Sequence, residues 1–449
     1  MSDEKTSSPA FIRGLGVWDA AALVVGCVIG AGIFRLSDTV AQRTPTPGLF
    51  LLAWAVGGLL SLCGALCYAE LATRFPKTGG DYIFLTQAYG RFWGFLFGWT
   101  KLFVERTGTV AILAFVFARH LEVVLGLPEQ SAVKPVATGA IVLLTAANVL
   151  GLRFGKGIQN LFTLLKVGAI AMIIGVGLLA GKGSAANFVS HGPSGGFLTT
   201  AEALGLALIP VLWAFGGWTE AAYVAEEVKD PQRNLPKAII GGLLGVTVLY
   251  MAVNAVYLYY LPLPTLRATD LVAAGTMDII WPSIGGRLVA AMVMASTFGA
   301  LNGYILTGGR ILYALGKDHA LFARMGRLSE KGRTPAPALI LTGALAVLLV
   351  WTGTLDQLVT YSSVVVFVFY AMSGISVFLF RRRPDAPAAT WRVWAYPVTP
   401  ALFALLCLSF AANAAWGETK ETLLGFAVAA VGAPLYLISK KLTSRAEPS

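Results

Sequence analysis

Two glycine-rich strings hold the residues of this chain best placed to do chemistry. The first is Gly26-Cys27-Val28-Ile29-Gly30-Ala31-Gly32-Ile33-Phe34 and the second is Trp213-Ala214-Phe215-Gly216-Gly217-Trp218-Thr219. Each lies inside a long apolar stretch. Glycine within a helix costs up to about 1 kcal/mol relative to alanine, so such clusters need a reason. One reason is a broken helix, whose freed N–H and C=O groups bind a polar solute; a matched pair of interrupted helices marks the binding site of many membrane carriers. The other is packing, because Gly26-xxx-Gly30 has the spacing at which two helices cross closely. Spacing alone leaves both open.

Ionisable groups inside apolar runs form the second set. Lys166 sits in Asn160-Leu161-Phe162-Thr163-Leu164-Leu165-Lys166-Val167-Gly168. At such depth it is either functional or a side chain snorkelling to the interface. Lys101, Glu105 and Arg106 cluster in another run and suggest a structural ion pair. Glu226 and Glu227, followed by Lys229, Asp230 and Arg233, suggest an interfacial ionic network that latches a gate. Asn302 either bonds a neighbouring helix or faces a cavity. The four cysteines lie in apolar runs, and the three histidines are far apart, with no H-E-x-x-H pattern. No metal centre, disulfide framework or nucleotide loop is expected.

The elements that must position these groups follow from composition. The chain has 449 residues, 56% of them apolar and 13% charged, with mean hydropathy +0.72. Soluble domains carry about 25% charged residues, and single soluble cores stop growing at roughly 250–300 residues. Lipid is the solvent that fits. Apolar runs of spanning length occur at 17–40, 48–74, 92–118, 135–152, 158–181, 201–227, 237–261, 286–314, 336–352, 357–380, 395–412 and 422–439. This predicts an all-α integral membrane protein of about twelve transmembrane helices. With the N-terminus inside, the inner loops hold Arg74, Lys77, Arg153, Lys156, Arg233, Lys237, the 324–333 basic group, Arg381 to Arg383 and Lys440-Lys441. That bias places both termini in the cytoplasm. The formal charge of +11 therefore reads as topology and not as nucleic-acid binding, for no basic stripe with interleaved aromatics appears. Breaks in the first and sixth runs predict a 5+5 inverted-repeat core with discontinuous helices 1 and 6. Its repeats are 17–181 and 201–380, followed by two peripheral helices in 395–439, with tails at 1–16 and 440–449.

At four places the chain resembles the amino acid–polyamine–organocation superfamily, and within it the L-type amino acid transporter branch. They are G-C-V-I-G-A-G-I-F from Gly26; Tyr68-Ala69-Glu70-Leu71 with Pro76 and Gly79-Gly80-Asp81-Tyr82; Phe215 to Pro236; and Arg310, Tyr313-Ala314 and Asp318 with Thr334-Pro335. The resemblance implies that substrate is held at the two breaks, by Val28, Gly30, Ala31, Gly32, Trp213, Gly216 and Thr219. Trp213 matches an aromatic gate, whereas Trp218 is structural. Thr219 stands where the branch commonly has asparagine. Lys166 corresponds to a lysine that replaces a bound sodium in sodium-independent members, and its ammonium is expected near the carbonyls of Gly26 and Cys27. Physical chemistry agrees: amides at Gly30, Ala31 and Gly32 suit an α-carboxylate, and carbonyls near Val28, Trp213 and Gly216 suit an α-ammonium.

The resulting expectation is a secondary transporter of neutral L-amino acids, sodium-independent, working by exchange or facilitated movement in the cell inner membrane. The alternative is a proton-coupled permease for cationic amino acids or polyamines. Glu220 bears on the choice, since free it would pair a cationic side chain and paired with Arg106 it would not; Trp213 offers a cation–π face that keeps the alternative open, and the G-G-W…E-E signature of the resemblance favours neutral substrates. No enzyme motif and no cofactor are expected. Animal members of the L-type branch link to a glycoprotein through a cysteine outside spans three and four; residues 120–134 contain none, so no disulfide-linked heavy chain is expected.

Overall fold

Lipid offers no water to an exposed backbone, so apolar runs of this length fold as helices, which satisfy their own N–H and C=O groups. The computed structural model describes residues 10–128, 132–189, 196–352, 364–417 and 419–446. In chain order the helices are α1 (Val17–Val28), α2 (Gly32–Arg35), α3 (Ser37–Arg43), α4 (Pro47–Arg74), α5 (Asp81–Tyr89), α6 (Arg91–Thr100), α7 (Thr107–Leu125), α8 (Val133–Leu150), α9 (Leu152–Leu179) and α10 (Phe197–Ala214). They continue as α11 (Glu220–Tyr223), α12 (Pro231–Tyr260), α13 (Leu263–Arg267), α14 (Val272–Ile280), α15 (Gly285–Asp318), α16 (Ala336–Thr352), α17 (Val364–Arg382), α18 (Val398–Gly417) and α19 (Thr419–Ala446). One π-helical turn, Lys101–Arg106, joins α6 to α7.

Among the described residues nine helices are long and apolar enough to cross a membrane, and three shorter apolar helices accompany them: Thr199–Ala214, Ala336–Thr352 and Val398–Asn413. Each overlaps one of the expected runs. The beginning of the 357–380 run lies outside the described residues. Local chemistry sets the ends where it can. Thr46 caps α4 by accepting from the Leu49 amide at 3.2 Å, and Pro47 takes the first helical position, where its missing N–H costs nothing.

Both glycine strings are breaks. α1 stops at Val28 and the chain resumes helically at Gly32; α10 stops at Ala214 and α11 begins at Glu220. The packing reading also holds, at Gly26 but not at Gly30, where an added Cβ would meet nothing within 4 Å. A Cβ on Gly26 would lie 2.2 Å from Gln159 Nε2 and 2.4 Å from Thr163 Oγ1, so this glycine lets α9 cross α1. The two breaks touch: a Cβ on Gly217 would lie 2.8 Å from the Cys27 carbonyl carbon, and one on Gly32 would lie 3.3 Å from Ala214 Cα.

The loops assigned to one side by charge do share one face. Lys156 Nζ donates to the Gly14 carbonyl at 2.9 Å, the Leu15 amide to Glu227 O at 2.9 Å, and the Lys229 amide to Leu15 O at 2.8 Å. Thr334 Oγ1 reaches Val149 O at 2.9 Å, and Arg381 Nη2 pairs with Glu70 at 2.6 Å. The opposite face collects other loops: Arg267 Nη2 donates to Thr44 O at 2.6 Å and Lys182 Nζ to Ile280 O at 3.2 Å.

Gly217 holds φ +112°, a backbone conformation that side chains rarely adopt, against a backbone with no room to move. Gly217→Ala should lower stability by about 1–3 kcal/mol. Gly216→Ala, whose Cβ would meet only the Trp213 carbonyl at 3.2 Å, should change it little. Melting of the purified protein, read by size-exclusion after heating, compares the two.

Candidate functional site

The first break turns several carbonyls away from the helix, and side chains from three other helices meet them. Lys166 Nζ on α9 donates to Gly26 O at 2.6 Å, while Thr163 Oγ1 of the same helix donates to Ala22 O, within α1 before the break, at 2.9 Å. Tyr250 OH on α12 donates to Val28 O at 3.0 Å, and Ser296 Oγ on α15 reaches Ile29 O at 2.9 Å and Gly30 O at 3.2 Å. Val28 O also accepts from the Gly30 amide at 2.8 Å, so both its lone-pair directions are used. Among the described residues nothing accepts from the amides of Ala31, Gly32 and Ile33, at the start of α2.

The second break lies alongside. Trp213 O accepts from the Gly216 amide at 3.0 Å, and Ala214 O from Tyr250 OH at 3.3 Å. No donor among the described residues reaches the carbonyls of Phe215 and Gly216. The open groups are therefore a short row of amides on one break and two carbonyls on the other. Gly30 and Ala31 are half-buried and Gly216 is exposed; a Cβ on Gly30 would meet nothing within 4 Å. Trp213 beside them is 48% exposed. Val28, Gly32 and Thr219 are buried just behind this opening. Trp218 is also buried, edge-on to Tyr68 at 5.0 Å and Phe403 at 5.8 Å, which is the packing role expected of it.

Lys166 does not snorkel. Its side chain is fully buried and its ammonium ends on the Gly26 carbonyl, held where α15 presents Gly299. Beneath the breaks the charges pair. Arg106 binds Glu220 through both carboxylate oxygens, Nη1 to Oε2 at 3.0 Å and Nη2 to Oε1 at 3.1 Å, with both side chains 1% exposed. Thr307 Oγ1 donates to the same carboxylate, and the guanidinium lies 4.9 Å from the Tyr304 ring. Lys101 Nζ pairs with Glu105 at 3.1 Å and bonds Tyr370 OH at 2.9 Å. The π-helical turn keeps the expected local pairing around Glu105 and lets Lys101 and Arg106 also reach across to α17 and α11.

One expectation needs changing, at Glu227, and one alternative left open, at Asn302, is decided. Glu227 does not pair with Lys229 or Arg233; it takes Arg310 of α15, at 2.8 and 3.1 Å, because the chain turns it inward just past α11. Asn302 bonds neighbouring helices, donating to Gly155 O and Gln159 Oε1 at 3.0 Å each and accepting from Asn148 at 2.9 Å. Sequence reasoning missed Tyr250, Ser296, Thr163 and Thr307. Each is a hydroxyl inside an apolar run, and that was the only signal available. It also missed Asp81 on α5, which is fully buried and accepts from Tyr223 OH and Ser373 Oγ at 2.6 Å each and from Tyr68 OH. Burial raises the Asp81 carboxyl above its ordinary range, and the three hydroxyls oppose that. Through them α4, α11 and α17 meet at one point.

Residues 15–436 match the family described as amino acid permease. The chain belongs to that family. It is thus a multi-pass membrane protein that transports amino acids. Among similar proteins, the b(0,+)-type amino acid transporter 1 of Mus musculus is 35% identical over 376 residues, 82% of this chain and 76% of that protein. The serine/threonine exchanger SteT of Bacillus subtilis is 31% identical over 432 residues, 95% of this chain and 97% of that one. The large neutral amino acids transporter small subunit 2 of Mus musculus is 30% identical over 445 residues, 96% of this chain and 81% of that one.

In the permease the Arg106–Glu220 pair is sealed from water, so removing one partner strands the other. Arg106→Leu should destabilise the protein by about 3–5 kcal/mol. Arg106→Leu with Glu220→Gln should recover a large part of that loss. Melting of the two singles and the double variant closes the cycle; additive losses would show that the charges do not interact.

Proposed function

We propose that the permease carries neutral L-amino acids, without sodium, by exchange or facilitated movement through alternating access. One observation carries the neutral assignment: Glu220, the acid nearest the breaks on α11, already holds Arg106 in a two-point ion pair. A cationic side chain would have to displace that pair at high cost. An amino acid zwitterion needs no charged partner. Its carboxylate suits the open amides of Ala31 and Gly32 beside Gly30, where the half-helix α2 presents its positive end. Its ammonium suits the carbonyl of Gly216, with that of Phe215 beside it. The Val28 and Trp213 carbonyls, already accepting, line the site from behind. Trp213 covers the opening as a gate, and buried Thr219 bounds the side-chain end. The names of two relatives, an exchanger for serine and threonine and a transporter of large neutral amino acids, point the same way.

Lys166 supports sodium independence, since its ammonium meets the Gly26 carbonyl where a bound cation would otherwise neutralise the broken helix. We place the permease in the cell inner membrane with both termini cytoplasmic, because the basic loops share one face. The repeats 17–181 and 201–380 would move against each other around the breaks, with 395–439 peripheral. The burial of all four cysteines supports action without a disulfide-linked heavy chain.

Proteoliposomes test this reading. Unlabelled alanine, serine and leucine should displace the label, and arginine should not; displacement by arginine alone would assign the permease to cationic substrates. Replacing external sodium with choline should leave uptake unchanged, and a strict sodium requirement would remove the role given to Lys166. Gly30→Leu points its side chain into open space and should fold normally while abolishing binding, as should Gly216→Leu. Scintillation proximity on monodisperse protein reads both, and full binding by the pair would place the site elsewhere.

A further inference from the structure

The head of α12 carries a groove whose lining includes no residue of the two helix breaks. It encloses about 730 Å³, with Arg233 and Lys237 at its mouth, Ile240, Gly241 and Leu244 along its floor, and Trp391 opposite. Arg233 and Lys237 stand one turn apart on the exposed side of the helix, and neither makes an ion pair among the described residues. No carboxylate lines the groove. A compact anion would therefore meet two free cations and no competing acid.

Apart from Gln232 and Thr390, the rest of the groove is apolar and continues along α12. Leu244 is 47% exposed and Val248 68% exposed on the same stripe as the two cations. Gly241 and Gly245 leave the floor open, for a Cβ on either would meet nothing within 4 Å. The opposite wall is aromatic. Trp391 lies 5.9 Å from Trp394, itself 62% exposed, and paired aromatics of this kind sit at headgroup depth. The wall is held in place: Thr390 Oγ1 bonds Gln232 O at 3.3 Å, and the Val393 amide bonds Glu70 at 2.8 Å. A ligand that matches cations at one end, an aromatic collar and a long apolar floor is charged at its head and carries a hydrocarbon chain.

We propose that this groove binds one anionic phospholipid of the adjacent leaflet. Its phosphate rests between Arg233 and Lys237, its glycerol region lies against Trp391, and one acyl chain follows Gly241 and Leu244. The proposal rests on α12 being a membrane span. It is independent of which amino acid the permease carries.

Native mass spectrometry of the full-length protein, titrated with phosphatidylglycerol and with phosphatidylcholine, tests it. The wild type should retain the first phosphatidylglycerol well above phosphatidylcholine. Arg233→Gln with Lys237→Gln should weaken that adduct on the order of 30-fold, the value of two cations near an anionic headgroup, and leave phosphatidylcholine unaffected. Gly241→Phe keeps both charges and fills the floor; it should also lose the adduct, and it serves if the charge variant fails to fold. Glycerol phosphate should not compete. Unchanged phosphatidylglycerol retention in both variants would overturn the proposal. Displacement by glycerol phosphate at equal concentration would overturn it too, leaving a phosphate site without a lipid.

Discussion

A helix broken at membrane depth must find partners for the backbone groups it frees, because hydrocarbon offers none. That requirement organises the permease. Lys166 of α9, Tyr250 of α12 and Ser296 of α15 each donate to a carbonyl of the first break, and Thr163 of α9 donates to Ala22 O within α1 before it. These contacts fix three helices around α1. Tyr250 also serves Ala214 O, so a single phenol ties the two breaks together. The groups left without partners are then few and adjacent. They are the amides at the start of α2 and the carbonyls of Phe215 and Gly216, and this remainder is what a zwitterion can use.

Such bonds require close approach, and close approach requires small residues. Lipid tails are as apolar as leucine, so helices in a membrane associate by packing and hydrogen bonding. Gly26 admits Gln159 and Thr163, and Gly303 of α15 admits Cys27, whose sulfur would lie 2.5 Å from an added Cβ. Gly299 does the same for Phe162 and Lys166. The 50 glycines are thus partly the means by which polar side chains reach the broken backbone.

Charge is handled by pairing. Desolvating two ions costs several kcal/mol each, and only good geometry offsets it. Arg106–Glu220 and Arg310–Glu227 are both two-point contacts between side chains 1% exposed. The first leaves the floor beneath the breaks without net charge. The second joins Leu15–Glu227 and Asp81–Tyr223 in fastening α11 to its surroundings on the face shared by the basic loops. The stretch from α11 to Glu227 is held this way by several bonds spread over different helices. Movement of α11 would have to break them together.

The sequence by itself determined what depends on short stretches. The glycine strings marked where breaks or close crossings could lie. Long apolar runs with few charges allow only helices in lipid, so the spans and the burial of the cysteines were legible. So was the family, because its four motifs keep their order along the chain. The role proposed for Trp213 and the contact between Lys166 and Gly26 were reachable only through that resemblance. Tertiary structure alone decided the partners. Hydropathy says that Glu220, Glu227 and Asn302 are awkwardly placed, but it does not say which neighbour relieves each of them. Those neighbours lie 114, 83 and 154 residues away for Arg106, Arg310 and Asn148. The same limit hid Tyr250 and Ser296. A hydroxyl within an apolar run has no local mark of function, and its role appears only when another helix presents it with an unpaired carbonyl.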